Sequence, residues 1–356
     1  MMLLKVTSRP AILLVMFPGV SSFAFSSRSF PESRSTAPAS TRMLAASSGD
    51  AVRVKWSLKT VEGGPVDLGL PFDQGEVRFV VNGGGYLPCL HRLASDGSLT
   101  DEPATFSVKA SECFGEGNPD LGPVDLPVSS APAGLKTGQV VQLQSGLKAR
   151  VTKMTDETFT IDANDELAGR DWQVEAALLE VDPQGSKLEA AHFALGCFWG
   201  GELFFQRVRG VVRTSVGYSN GAKEGPTYEE VCSGSTGHTE ALEVLFDPSE
   251  VSYSNLLDLF WERLGESAYL LNQVGNDKGT QYRHGIYWRS EEQKAEAQAS
   301  LVAAKELGLL NNGQAVYTEV VAAEKFWPAE DYHQQYLTKG GQSAKKQDTE
   351  TIRCYG

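Results

Sequence analysis

Apolar and polar residues alternate along most of the stretch from Val52 to Val181. The runs VRVKWSLKT, EVRFVV, ATFSVKA, QVVQLQSG, KARVTKMT, TFTID and WQVEAALLEV are separated by clusters of Gly, Pro and Asp. Period-two alternation bounded by turn residues predicts half-buried strands, hence an antiparallel β region with one short helix at PCLHRLAS. The pattern changes after EVDPQGSKLEA, where Pro183 and Gly185 interrupt it. AAHFALG predicts a strand, FWGGELFFQRVRG a helix closed by Gly210, and EALEVLFDP a strand facing inward through Leu242, Val244 and Phe246. In SYSNLLDLFWERLG the residues Leu256, Leu257, Phe260, Trp261 and Leu264 make a helical stripe, with Ser252 or Ser254 as cap. A strand at HGIYWR, a helix capped by Ser290 and a strand at AVYTEVVAA follow. This second region is α+β, without regular βαβ alternation.

Charge separates the start of the chain from the rest. Of the net −13, the first fifty residues contribute +3 (five basic, two acidic), leaving −16 on the remainder. An acidic body excludes nucleic acid as the main partner. The start reads as an address: Lys5 and Arg9 precede the apolar run AILLVMFPGV, and a Ser/Arg-rich stretch follows Phe23 and Phe25. That order resembles a bipartite plastid presequence; the alternative is a secretory signal with a linker. The run, broken by Pro18, is too short for a stable membrane anchor. The cysteines Cys89, Cys113, Cys197, Cys232 and Cys354 are few and widely spaced, which is not a disulfide framework. Neither they nor the histidines stand at metal-ligand spacing, so no metal or other cofactor is expected.

Cys197 lies where a predicted strand runs into a predicted helix, beside Phe198 and Trp199. A thiolate there is favoured by the free N–H groups of the helix start, and the rings offer apolar walls. A buried cysteine acting as a small hydrophobe fits the residue types equally well.

GCFWG resembles the active-site motif of the methionine sulfoxide reductase A family. The likeness continues through GYSNGAKEGPTYEEVCSGSTGHTEALEVLFDP, LNQVGNDKGTQYRHGIY and FWPAEDYHQQYLTKGGQ…IRCYG, covering nearly all of residues 190–356. The resemblance implies Cys197 as nucleophile and Glu240 as the acid that protonates the sulfoxide oxygen. Tyr228 and Tyr282 would donate hydrogen bonds to that oxygen, Asp277 would orient the site, and Phe198 with Trp199 would hold the methyl group. Attack leaves a sulfenic acid, which condenses with a second thiol. Cys354 on the tail is implied, because Asp348 stands where relatives carry another tail cysteine. Thioredoxin is the implied reductant, and oxidised or unfolded polypeptides the substrates. Cys232, next to apolar Val231, is expected to be buried, and His238, His284 and His333 to be structural. LGESAYLL replaces the family's His-Asp-Pro loop and runs longer.

In the first region, CFGEGNPDL, NPDLGPVDLP and NDELAG resemble the SlyD class of FKBP-type prolyl isomerases, with a β module inserted in the flap. Asp67, Tyr86, Leu87 and Phe114 would form the isomerase pocket, although Val66 and Val174 stand where aromatics are usual. The expected architecture is therefore two domains: a mainly antiparallel β FKBP-like domain with an insert-in-flap module, then an α+β methionine sulfoxide reductase A fold. The boundaries are a presequence at 1–50, the FKBP-like domain at 51–182 with its insert at about 117–169, and the reductase at 188–356 with a mobile tail from about 339. The expected function is thiol-dependent reduction of methionine-(S)-sulfoxide through a Cys197–Cys354 disulfide, with the first domain binding peptide or isomerising prolyl bonds. The alternative is a chaperone-like peptide-binding protein whose reductase half is inactive.

Overall fold

The alternating runs of the first region form two separate antiparallel sheets. The computed structural model describes residues 5–6, 46–61, 73–85, 87–132, 134–143, 148–164, 167–306, 309–310 and 313–354. The presequence reading falls mostly outside these, as do Asp67 and Tyr86 of the expected isomerase pocket. The chain forms two compact units, one of residues 1–42 with 114–170 and one of residues 43–113 with 171–356.

The smaller unit carries a five-stranded sheet in the order Lys5–Val6, Val140–Gln142, Lys148–Met154, Thr158–Asp162, Val124–Pro127. Its core is Leu135, Val141, Ala149, Val151, Phe159 and Ile161.

The larger unit opens with a four-stranded sheet in the order Gly75–Val80, Ala51–Lys59, Trp172–Asp182, Ala104–Val108. Alternation decides its faces: Val52, Val54, Trp56 and Leu58 are buried while Lys55 is exposed. Helix α1 (Pro88–Ser95) starts on a proline, whose missing N–H is harmless at that position, and buries Leu90 and Leu93. Leu87, just before it, is buried, and Phe114 is half-buried in the other unit. All five cysteines are free, with the Cys89 and Cys113 sulfurs 3.4 Å apart.

The same unit continues into a six-stranded mixed sheet, ordered Glu319–Ala322, His284–Trp288, Glu189–Leu195, Thr239–Phe246, Val211–Ser219, Trp327–Pro328. Only the pairing of 284–288 with 319–322 is parallel. Strand 189–195 is buried on both faces. Phe193 stacks 5.1 Å from Phe205, and Ala194 packs with Ala241 and Tyr287. The helices are α2 (Phe198–Gln206), α3 (Tyr228–Cys232), α4 (Tyr253–Leu264), α5 (Glu291–Glu306) and α6 (Tyr336–Lys339). Ser252 caps α4 by accepting from Asn255 N, and Ser290 Oγ accepts from Gln293 N at the start of α5. Helix α2 ends at Gln206, short of Gly210. That glycine instead sits at φ +87° against Val251, where a side chain would collide. Within AVYTEVVAA only Glu319–Ala322 is strand.

The two sheets of this unit are joined. Arg78, 9 % exposed, bonds Asp182 at 3.0 Å and also Asp247 of the six-stranded part. Ala51 and Val80 share a cluster with Val212, Leu188 and Leu245.

Candidate active site

Strand 189–195 ends in a turn that only glycine fits. Gly196 has φ +72°, and a Cβ there would lie 2.6 Å from Val274 Cβ. The turn delivers Cys197 as the N-cap of α2, partly exposed, with the Trp199 N–H directed at its sulfur. From strand Thr239–Phe246, Glu240 reaches the same point. It is 1 % exposed and accepts a 3.0 Å hydrogen bond from Phe198 N. It is not a solvated strand end. Burial pushes its carboxyl up to about 8, with the charge of Asp277 adding and the Phe198 N–H opposing. The group therefore keeps its proton at neutral pH.

Cys354 lies against the first turn of α2: a Cβ on Gly200 would fall 2.8 Å from its sulfur. Its thiol and that of Cys197 are hydrogen-bonded. That bond and the Arg263 guanidinium draw Cys354 down to about 7. Cys197 is correspondingly held up, by the same bond, by burial and by Glu240. The reduced pair thus gives up one proton readily, and the one that remains is shared between the two sulfurs.

The remaining expected residues surround this centre. Tyr282 ends a 3₁₀ turn, Thr280–Tyr282, tied to the strand by Thr239 Oγ1 at 2.9 Å from Gln281 O. Burial raises its hydroxyl, followed by the charges of Glu240 and Cys197, which face it. Tyr228 opens α3, and its hydroxyl is raised by burial and by a hydrogen bond with Cys232. Asp277 is exposed at the rim, close enough for its charge to reach Glu240 and Cys354. Phe198 is 1 % exposed and Trp199 half-buried, their ring centres 6.3 Å apart.

Cys232 corrects the sequence reading: it is exposed, not buried. On α3 its neighbour Val231 faces inward at 0 % exposure, and one residue of helical rotation turns Cys232 outward. The LGESAYLL loop contains a 3₁₀ turn, Gly265–Tyr269, in which Ala268 is buried; Leu271, beyond the turn, is exposed. His284 holds the following loop through Leu270 O at 2.9 Å, and His238 bonds Lys223 O. His333 does more than fill space. Its Nδ1 accepts from Trp199 Nε1 at 3.2 Å, and its ring lies 4.5 Å from that of Tyr228. Trp199 also stacks on Tyr336 at 4.0 Å. Residue types alone gave no signal for this bracing, or for Arg263 beside Cys354.

A family model described as peptide methionine sulfoxide reductase matches residues 189–353. Peptide methionine sulfoxide reductase A2-1 of Oryza sativa is 49% identical over 172 residues, spanning 48% of this chain and 89% of that protein. The chain belongs to the peptide methionine sulfoxide reductase family. A Solanum lycopersicum reductase is 50% identical over 179 residues, 49% of this chain and 89% of its own. The chloroplastic reductase A4 of Arabidopsis thaliana is 48% identical over 180 residues, 49% of this chain and 67% of its own. Among solved structures, reduced Mxr1 of Saccharomyces cerevisiae is 32% identical with a TM-score of 0.40, covering 44% of this chain and 88% of that one. As a reductase of this family the chain is an oxidoreductase that repairs oxidised methionine.

Proposed function

We propose that the chain reduces peptide-bound methionine-(S)-sulfoxide at Cys197 and regenerates through Cys354. The observation that carries this reading is the convergence of a helix-capping thiol, a buried protonated carboxyl and a second thiol at one turn. The methyl group lies against Phe198 and Trp199, while Tyr228 and Tyr282 donate to the sulfoxide oxygen. With the pair's remaining proton on Cys354, Cys197 attacks the sulfur as thiolate, and Glu240 transfers its proton to the oxygen. The hydroxyl then passes to the Cys197 sulfur as the S–O bond and the new S–S bond break, methionine leaves with the S–S electron pair as its restored lone pair, and Cys197 becomes a sulfenic acid. Cys354 then attacks that sulfur and expels water, leaving a Cys197–Cys354 disulfide. An external dithiol protein of the thioredoxin type reduces it by exchange.

The N-terminal half is proposed as a SlyD-like FKBP-type domain, residues 51–182, whose insert binds unfolded, oxidised chains. A crevice of about 600 Å³ in the insert, lined by Pro119, Pro123, Arg150 and Val151 among others, supports peptide binding. Prolyl isomerisation would need Asp67 and Tyr86, which lie outside the described residues. Residues 1–50 are proposed as a plastid presequence, in keeping with relatives named chloroplastic.

The test is turnover by the purified protein with dithiothreitol and the separate S and R epimers of a blocked methionine sulfoxide. Turnover of S alone, lost in Cys197→Ser, is the expected result. No turnover of either epimer by folded protein would leave the peptide-binding alternative.

A further inference from the structure

The tail that delivers Cys354 is held at several points before it reaches Cys197. Arg207, at the end of α2, donates to Ser343 O at 2.9 Å and to Glu350 O at 2.6 Å. Gln347 N returns a 2.7 Å bond to Arg207 O, and Gln342 exchanges two bonds with the backbone of Arg353. Between these clamps Lys346 points inward. Its Nζ donates to Gln206 O at 2.7 Å and to Val211 O at 2.8 Å, two carbonyls beyond the helical ladder of α2. Lysine is seldom buried without a specific partner, and burial lowers this one to about 8 while Asp73 and Glu250 oppose the shift.

One anchor comes from outside the reductase sheet. Asp73 lies two residues before strand Gly75–Val80 of the N-terminal half, and its Oδ2 accepts from Lys346 N at 2.8 Å. Beside it, the Asn82–Gly85 turn closes on the same crevice. A Cβ on Gly84 would meet Gln335 Oε1 at 2.9 Å, and Gln335 in turn bonds the buried Glu202 of α2. Gly84, Gly85, Gln206, Val211, Gln335 and Lys346 line one narrow gap. Thus the end of α2, the tail and the N-terminal half meet at Lys346.

We propose that Asp73 and Lys346 are positioning residues for the resolving step: the N-terminal half holds the tail so that Cys354 is presented to Cys197. This rests on the reading of Cys354 as the resolving thiol. It gives the fused half a part in the reductase cycle that is separate from any peptide binding. The first chemical step, at Cys197 and Glu240, makes no use of the anchor.

The experiment is a single turnover of the reduced full chain with one equivalent of a methionine-(S)-sulfoxide peptide. Methionine is measured on one hand, and the Cys197–Cys354 disulfide by quenched mass spectrometry on the other. Lys346→Met and Asp73→Ala should give the wild-type methionine burst. Disulfide formation should slow about tenfold in the first and about threefold in the second, fractions of the roughly hundredfold penalty a reacting group placed 1 Å off can carry. Sulfenic acid, trapped by dimedone on Cys197, should accumulate. A normal burst with wild-type disulfide rates in both variants overturns the anchor. Should Lys346→Met fail to fold, Asp73→Ala alone decides, since it removes only one surface-side acceptor. Absence of a burst, or of the disulfide, in the wild-type chain would sink the parent reading instead.

Discussion

The two sheets of the larger unit use their interiors differently. In the four-stranded part the buried side chains are mostly apolar, with Trp56, Phe79 and Trp172 among the largest; of its few buried polar groups Asp182 is in an ion pair, while Asp50 and His91 accept from backbone N–H groups. The six-stranded part buries Glu202, Glu240, His238, His284 and His333 alongside its aromatic core. Burying a carboxyl or an imidazole costs stability unless each is partnered; here each makes at least one hydrogen bond, while His238 Nδ1 and His333 Nε2 have no hydrogen-bond partner among the described residues. The first interior is built to hold together. The second gives up stability to keep a proton on Glu240 and to fix Trp199, which is where chemistry is expected.

That contrast is open to direct attack, beginning with the carboxyl. Glu240→Gln keeps the shape and the acceptor oxygen for Phe198 N but cannot deliver a proton. Methionine formation should fall by about two to four orders of magnitude, the range general acids supply. The pH profile adds a sign. Glu240 is protonated below about 8, so wild-type reduction should decline as pH rises through that value. The variant should lack this alkaline limb. An unchanged limb in Glu240→Gln would assign it to another group.

Phe79→Ala probes the other interior. Phe79 is fully buried, and such a truncation costs about 3–5 kcal/mol. The melting temperature should drop sharply while the methionine burst per folded molecule stays the same. A burst that falls in proportion would show that the four-stranded sheet takes part in the first chemical step.

The smallest effect is also the most selective. Gly200→Ala improves helix propensity by up to about 1 kcal/mol, so stability should hold or rise. Its Cβ would fall 2.8 Å from Cys354 Sγ. The methionine burst should be retained and disulfide formation slowed, by roughly tenfold. Wild-type disulfide kinetics would mean that the resolving sulfur approaches from another side.

Much of this was legible in the sequence, for reasons that can be named. The alternation of Leu242, Val244 and Phe246 fixes the strand that faces Glu240 inward, since period two carries the even positions to one side. The Gly-Cys-Phe junction marks a strand-to-helix turn, and Pro88 marks the start of α1. What the sequence could not show depends on distant partners. The carbonyls at the end of α2 are taken by the tail, Gln206 O by Lys346 Nζ and Arg207 O by Gln347 N, so Gly210 does not close the helix. Cys232 turns outward because α3 is short and Val231 takes the inward face. The inward turn of Lys346 depends on Gln206 O and Val211 O, and its backbone on Asp73, all far away along the chain, and no local pattern signals it.

The central claim is that Cys197 takes the oxygen from methionine sulfoxide while Glu240 supplies the proton. It is tested most directly in the reduced Cys354→Ser full chain, where the sulfenic acid has no resolving partner. After one equivalent of an S-sulfoxide peptide with dimedone present, the account predicts stoichiometric methionine and a dimedone adduct on Cys197 alone. Methionine formed with the adduct on Cys232, or no methionine from well-folded protein, would contradict it.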